Sequence, residues 1–191
     1  MAAQDKKTKH DSIMQAAFEE FYQNGYERAR MEQIAKQAGI GKSTIYEYFP
    51  SKQELLSEVV EAGLSQMQME MAEIFLSEEA FDQKLRQFLL KEKPHHQKHN
   101  LAKMSRIWES ISHIPEVKAI AMQRLYEVGD VLQSAMQKAI QAGELRPDLD
   151  AELFFLWIKS LGATMIFHQK TFSDEEAEKV LNMLMHGIAA V

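Results

Sequence analysis

Between Met31 and Phe49 the chain has room for two short helices and one turn, and little else. Met31, Ile34, Ala35 and Ala38 recur at helical spacing, Gly39 breaks the run, and Ile40, Ile45 and Phe49 form a second inward face. Glycine tolerates the left-handed conformation that ends a helix and turns the chain. Ala35 is small where the two helices would cross, and Ile45 and Phe49 at i and i+4 anchor the second one. Ser43, Thr44, Tyr46, Glu47 and Tyr48 are left to face outward. This is the helix-turn-helix arrangement, whose second helix enters a DNA major groove.

The stretch AGIGKST, residues 38–44, also invites a different reading. Glycine, lysine and two hydroxyls resemble the end of a nucleotide phosphate loop. Such a loop needs a glycine five residues before Gly41, and that residue is Lys36. It also needs a preceding strand, whereas MEQIAKQA is an amphipathic helical run. Spacing and context both exclude it.

The rest of the chain reads as helix. Residues 1–10 are polar and basic and are expected to form a mobile arm. Ile13, Ala17 and Phe21 then mark a helix that Asn24-Gly25 stops. Ser51 and Glu54 fit a capping box opening a long helix with Leu55, Leu56, Val59, Val60, Leu64, Met67, Met71, Ile74 and Phe75 on its stripe. Further helices are expected near 80–91, 100–113, 115–142, 151–170 and 174–189, with loops at 94–99 and 145–149. Asp150 and Ser173 suit N-caps, and Gly143 suits a C-terminal cap.

Composition narrows the function. With no cysteine among 191 residues, disulfides, thiolate metal sites and cysteine nucleophiles are excluded, and a reducing cytosol is the expected setting. No apolar run follows a basic start, and no apolar stretch reaches about 18 residues, so neither a cleaved signal nor a membrane span is expected. Residues 1–53 carry 8 Lys+Arg against 7 Asp+Glu, and residues 54–191 carry 14 against 21. An acidic protein binds DNA only where its positive charge gathers on one face. Lys6, Lys7, Lys9, Arg28, Arg30, Lys36, Lys42 and Lys52 supply such a face.

The segment AKQAGIGKSTIYEYFPSKQELL, residues 35–56, resembles the signature of TetR-family transcriptional regulators, and IMQAAFEEFYQNGY, residues 13–26, resembles the pattern upstream of it. The resemblance implies an all-α fold. It implies a three-helix helix-turn-helix domain at residues 1–53 and a ligand-binding and dimerisation domain at residues 54–191. It further implies a homodimer on double-stranded DNA that a small apolar or amphipathic inducer releases. Tyr46 and Lys52 would hold phosphates, while Lys42, Ser43, Thr44, Glu47 and Tyr48 would read bases or backbone. Two positions depart from the family pattern. Gly41 stands where many members cap the recognition helix with Ser or Thr, and Ala29-Arg30 replaces a hydroxyl pair, with Arg30 as the substitute phosphate contact. Glu47 has three open roles: accepting from cytosine, pairing with Lys42 or Arg28, or repelling phosphate.

Aromatic and methionine side chains supply a pocket or ordinary core. The ligand-binding candidates are Phe88, Met104, Ile107, Trp108, Met122, Tyr126, Phe155 and Phe167. The last two helices carry more apolar surface than one core needs, so Phe154, Trp157, Leu161, Leu181, Leu184 and Ile188 are the expected dimer interface. His95, His96 and His99 cluster, but no carboxylate lies within the run, and a solvated loop explains them as well as a metal does. No catalytic constellation, cofactor motif or metal set emerges, so the expectation is a cytoplasmic regulator and not an enzyme. The rival is an all-helical small-molecule sensor with weak or lost DNA binding, which the near-neutral N-terminal part and Glu47 keep open.

Overall fold

The computed structural model describes residues 2–90, 107, 111, 113–150, 152–158, 160 and 173–188. Among them the chain is helix and turn, with no extended strand. The elements are α1 (Ala2–Arg28), α2 (Met31–Gln37), α3 (Lys42–Tyr48), α4 (Lys52–Phe75), α5 (Phe81–Leu90), α6 (Pro115–Gln141), α7 (residues 152–158) and α8 (Asp174–Ile188). No helix among the described residues is long and apolar enough to cross a membrane.

From Ala2 onward, the arm expected over residues 1–10 is instead the start of α1. Ala, Gln and Lys there are strong helix formers and extend the amphipathic helix that follows. Ile13, Ala17 and Phe21 are fully buried along one stripe. The helical path breaks at Gly25 (φ 71°, ψ 167°), where the sequence places its stop. Ser51 Oγ accepts the Glu54 N–H at 3.1 Å and so opens α4.

The chain forms two compact units. The first comprises residues 1–64 and 103–123, and the second residues 65–102 and 124–191. The division at residue 64 falls inside α4. In the first, α1 packs on α2, and α2 packs on α3. Glu20 is buried at the first of these junctions, and its carboxylate accepts the Arg30 N–H at 3.3 Å. That bond satisfies a donor beside the start of α2, whose Ncap residue Arg30 makes no side-chain cap.

The second unit has an aromatic core. Phe75 and Phe81 stand with ring centroids 6.3 Å apart, and Phe81 and Phe154 are 6.2 Å apart. Leu85, Leu132, Met136, Ile158, Leu181 and Leu184 close around them. α5 packs on α8, where Arg86 and Glu178 form a two-pronged ion pair. Asp150 caps α7 by accepting from Glu152 and Leu153 N–H. Ser173 and Glu176 form a complete reciprocal capping box at α8.

Candidate nucleic-acid interface

The turn between α2 and α3 is built by backbone hydrogen bonds. Gly39 takes φ +71°, the Ile40 N–H donates to Ala35 O at 3.0 Å, and the Gly39 N–H donates to Lys36 O at 3.2 Å. This pair of bonds is the Schellman closure of a helix end. It hands the chain to Gly41, the extended Ncap of α3, which offers no side-chain cap.

α3 sorts its residues by face. Ile45 is fully buried, and Phe49 just beyond is buried as well. Burying one isoleucine side chain contributes about 1.5–3 kcal/mol, enough to set the roll of a two-turn helix. Lys42, Ser43, Tyr46 and Glu47 are exposed on the opposite face, with Tyr46 42% exposed. Thr44 and Tyr48 are half-buried at its margins. The Tyr48 ring lies 6.5 Å from the His10 ring, and Phe49 lies 5.4 Å from the same ring. Glu47 makes no ion pair among the described residues.

Two basic residues have partners that sequence spacing does not reveal. Lys42 Nζ meets Glu32 Oε1 at 2.8 Å, joining α3 to α2. The hydrogen bond to Lys42 holds the Glu32 carboxyl below its usual range, and the same bond holds the Lys42 amine above its own. Lys52 Nζ donates to three carbonyls, Tyr26 at 2.6 Å, Glu27 at 3.2 Å and Ala29 at 3.2 Å. It also lies 4.4 Å from the centroid of the Tyr26 ring. Burial, and then the charge of Glu27, push the Tyr26 phenol upward. Lys52 thus ties the start of α4 to the end of α1, and a phosphate contact would share or replace one of its bonds. Arg30 is exposed where α2 begins. His10 completes the frame, its Nε2 2.6 Å from Glu58 Oε1 on α4.

Glu20, Glu32 and His10 are the residues sequence reasoning missed. Glu20 carried a signal, since it lies beside Phe21 and three residues after Ala17 on the buried stripe. Glu32 and Lys42 belong to different helices, so no periodicity links them.

The ligand candidates divide between the units. Ile107 is fully buried and Met122 half-buried in the first unit. Phe88 and Phe155 pack against the aromatic core of the second, whereas Tyr126 is 68% exposed. Phe155 lies against α6 at Gly129, where a Cβ would stand 2.7 Å from its Cζ. Met104, Trp108 and Phe167 lie outside the described residues.

The dimer candidates divide as well. Phe154, Leu181 and Leu184 are buried in the core of the second unit, in one cluster with Phe81 and Leu85, and do not face outward. Trp157 is 47% exposed, and Leu153 and Leu156 share its outward face. Leu161 and the Ile188 side chain lie outside the described residues, as do His95, His96 and His99. Among the described residues no group of three His, Asp or Glu is placed to hold a metal.

The profile of the family described as "Bacterial regulatory proteins, tetR family" matches residues 13–59, the segment that builds this interface. The Fatty acid metabolism regulator protein of Bacillus subtilis (strain 168) is 27% identical over 192 residues, covering 96% of this chain and 97% of its own. Residues 13–59 thus carry the DNA-binding segment of TetR-family regulators. The HTH-type transcriptional regulator RutR of Escherichia coli (strain K12) is 42% identical over 52 residues, 27% of this chain and 24% of its own. The likeness of fold extends through the C-terminal half. The crystal structure of the regulator FadR from Bacillus subtilis, in complex with stearoyl-CoA, superposes with a TM-score of 0.72 at 24% identity, covering 94% of this chain and 99% of that one.

Proposed function

We propose that this protein is a homodimeric TetR-family repressor that binds a palindromic operator and leaves it when an acyl-type amphipathic inducer occupies its C-terminal half. The observation that carries the reading is the sorting of α3. Ile45 is locked into the core while Lys42, Ser43, Tyr46 and Glu47 stand in water on one face. Lys42 and the hydroxyls are suited to phosphate and base edges, and Glu47 to cytosine N4. Tyr46, Arg30 and Lys52 hold the backbone at the helix ends, with Thr44 and Tyr48 at the margins. The DNA-binding domain is residues 1–53, and residues 54–191 bind ligand and pair the subunits.

Pairing follows from the outward apolar face of α7. Leu153, Leu156 and Trp157 recur at i, i+3 and i+4, and a second copy would cover them. Twofold symmetry would set two recognition helices about 34 Å apart, one DNA turn. The inducer class is drawn from the likeness to a FadR that binds stearoyl-CoA, together with the apolar Phe88 and Phe155. If acyl ligand lowers DNA affinity, DNA lowers ligand affinity by the same factor.

The test is selection of genomic fragments on the purified protein at two salt concentrations, followed by titration of the selected site with stearoyl-CoA. An enriched palindrome, weakened by salt and vacated by stearoyl-CoA, is expected. Sedimentation of the free protein should give a dimer. Enrichment of nothing would replace this reading with that of a small-molecule sensor lacking DNA binding.

A further inference from the structure

Lys84 is the one cation buried among the described residues, 8% exposed within the second unit. It occupies the inward face of α5 with Phe81, Leu85 and Leu89. Phe88, one turn on, packs its ring 5.9 Å from Phe75, so this face adjoins the aromatic layer. Among the described residues its ammonium makes no hydrogen bond and no ion pair. Three acids on α5 or bonded to it have other partners. Glu178 holds Arg86, Glu144 accepts the Phe81 N–H at 2.6 Å, and Asp82 accepts the Gln83 N–H at 2.8 Å.

An ammonium on a buried residue without a counter-charge is unfavourable, because burial reduces hydration and no partner among the described residues replaces it. Something anionic that enters this unit would relieve that cost and bind more tightly for it. The geometry points to Lys84 as the counter-ion for an anionic head at the end of an apolar chain. The aromatic layer takes the chain, and the ammonium takes a carboxylate or phosphate oxygen. This rests on the acyl-ligand reading and adds the charge that selects among such ligands.

The test compares binding of laurate, lauroyl-CoA and dodecanol to the intact protein by calorimetry, for wild type, Lys84→Met and Lys84→Arg. Wild type should favour at least one anionic ligand over dodecanol by about tenfold or more. Lys84→Met should bring the ligands close to parity, and Lys84→Arg should retain a preference. Unliganded Lys84→Met should also melt at or above wild type, since a methionine fills a similar volume without the charge. Preference for laurate alone would mark a free carboxylate as the head, and preference for lauroyl-CoA alone would mark the coenzyme phosphates. A preference that survives in Lys84→Met overturns the assignment, as does a melting point that falls, which would show a protein partner for the ammonium. Wild type that binds dodecanol as well as the anions overturns it too, while leaving the acyl reading standing. Wild type that binds none of the three overturns both.

Discussion

The helix-turn-helix segment and the packing of α5 on α8 use charge in opposite ways. In the first, Glu32 and Lys42 pair in open water above helices fixed by Ile34, Ala35 and Ile45. In the second, Arg86 and Glu178 meet half-buried, and Lys84 lies beneath the surface beside Phe81 and Leu85. A surface that meets DNA can leave its charges hydrated, since phosphates arrive with screening ions and recognition depends on register. A unit that meets an apolar ligand gains most from charge held where water is scarce. One region therefore stands on backbone geometry, and the other on side-chain packing.

The sharpest test of that contrast is Phe75→Ala. Phe75 is fully buried between Phe81 and Phe88, so its loss should cost about 3–5 kcal/mol in urea unfolding. A loss under about 1 kcal/mol would mean that the aromatic layer repacks freely and is not the support assigned to it. Next comes Lys52→Ala, which strips three carbonyl acceptors at the end of α1 of their donor. Stability should fall by about 1–3 kcal/mol. Binding to specific and random DNA should weaken alike, as expected of a residue that holds the frame and the backbone. A changed sequence preference in a binding selection would remove Lys52 from that role.

These two residues also show what the sequence makes legible. The stripe Ile13, Ala17, Phe21, the turn at Gly39 and the inward Ile45 are readable because periodicity and glycine chemistry are local. The Asp150 and Ser173 caps are readable for the same reason. Residues 1–10 mislead because their polarity suits a free arm and an exposed helix equally, and helix propensity decides. Lys52 is readable as a helix-start cation near DNA, but its three carbonyl partners lie more than twenty residues earlier, beyond any local rule. Leu181 and Leu184 are readable as apolar, yet whether such a face meets its own core or a second copy depends on tertiary packing. The same limit hides Glu32, whose partner is on another helix.

Two glycines sharpen the contrast further. Gly39 has φ +71° and open space around the point where a Cβ would stand, so Gly39→Ala meets only backbone strain of about 1–2 kcal/mol. Gly129 is the reverse case, where an added methyl would strike the Phe155 ring. Gly39→Ala should lower the melting temperature and weaken operator binding while leaving acyl-ligand affinity unchanged. Gly129→Ala should alter ligand affinity through Phe155. If both variants shifted ligand affinity equally, the division between backbone-built and packing-built regions would fail.

The smallest effect, and the most specific, is expected from Glu32→Gln. The Glu32–Lys42 pair is exposed, so breaking it should leave the melting temperature nearly unchanged. Its effect is expected on DNA, because the substitution removes a negative charge from the proposed phosphate-facing surface and frees Lys42. Operator affinity should rise several-fold at low salt, and the gain should shrink as salt increases. The pH window follows from the two shifts. The Glu32 carboxyl lies below its ordinary 4.5, so its share of the pair is present above that value and is lost as pH falls through the lowered one. The Lys42 amine lies above its ordinary 10.5, so its share is present below that value and is lost as pH rises through the raised one. Across about pH 6 to 8 both partners stay charged, and the gain from Glu32→Gln should be constant over that range. Anisotropy titrations at three salt concentrations would measure it. An affinity that falls instead would mean that Glu32 aims Lys42 at the DNA, and the pair would then belong to the reading surface itself.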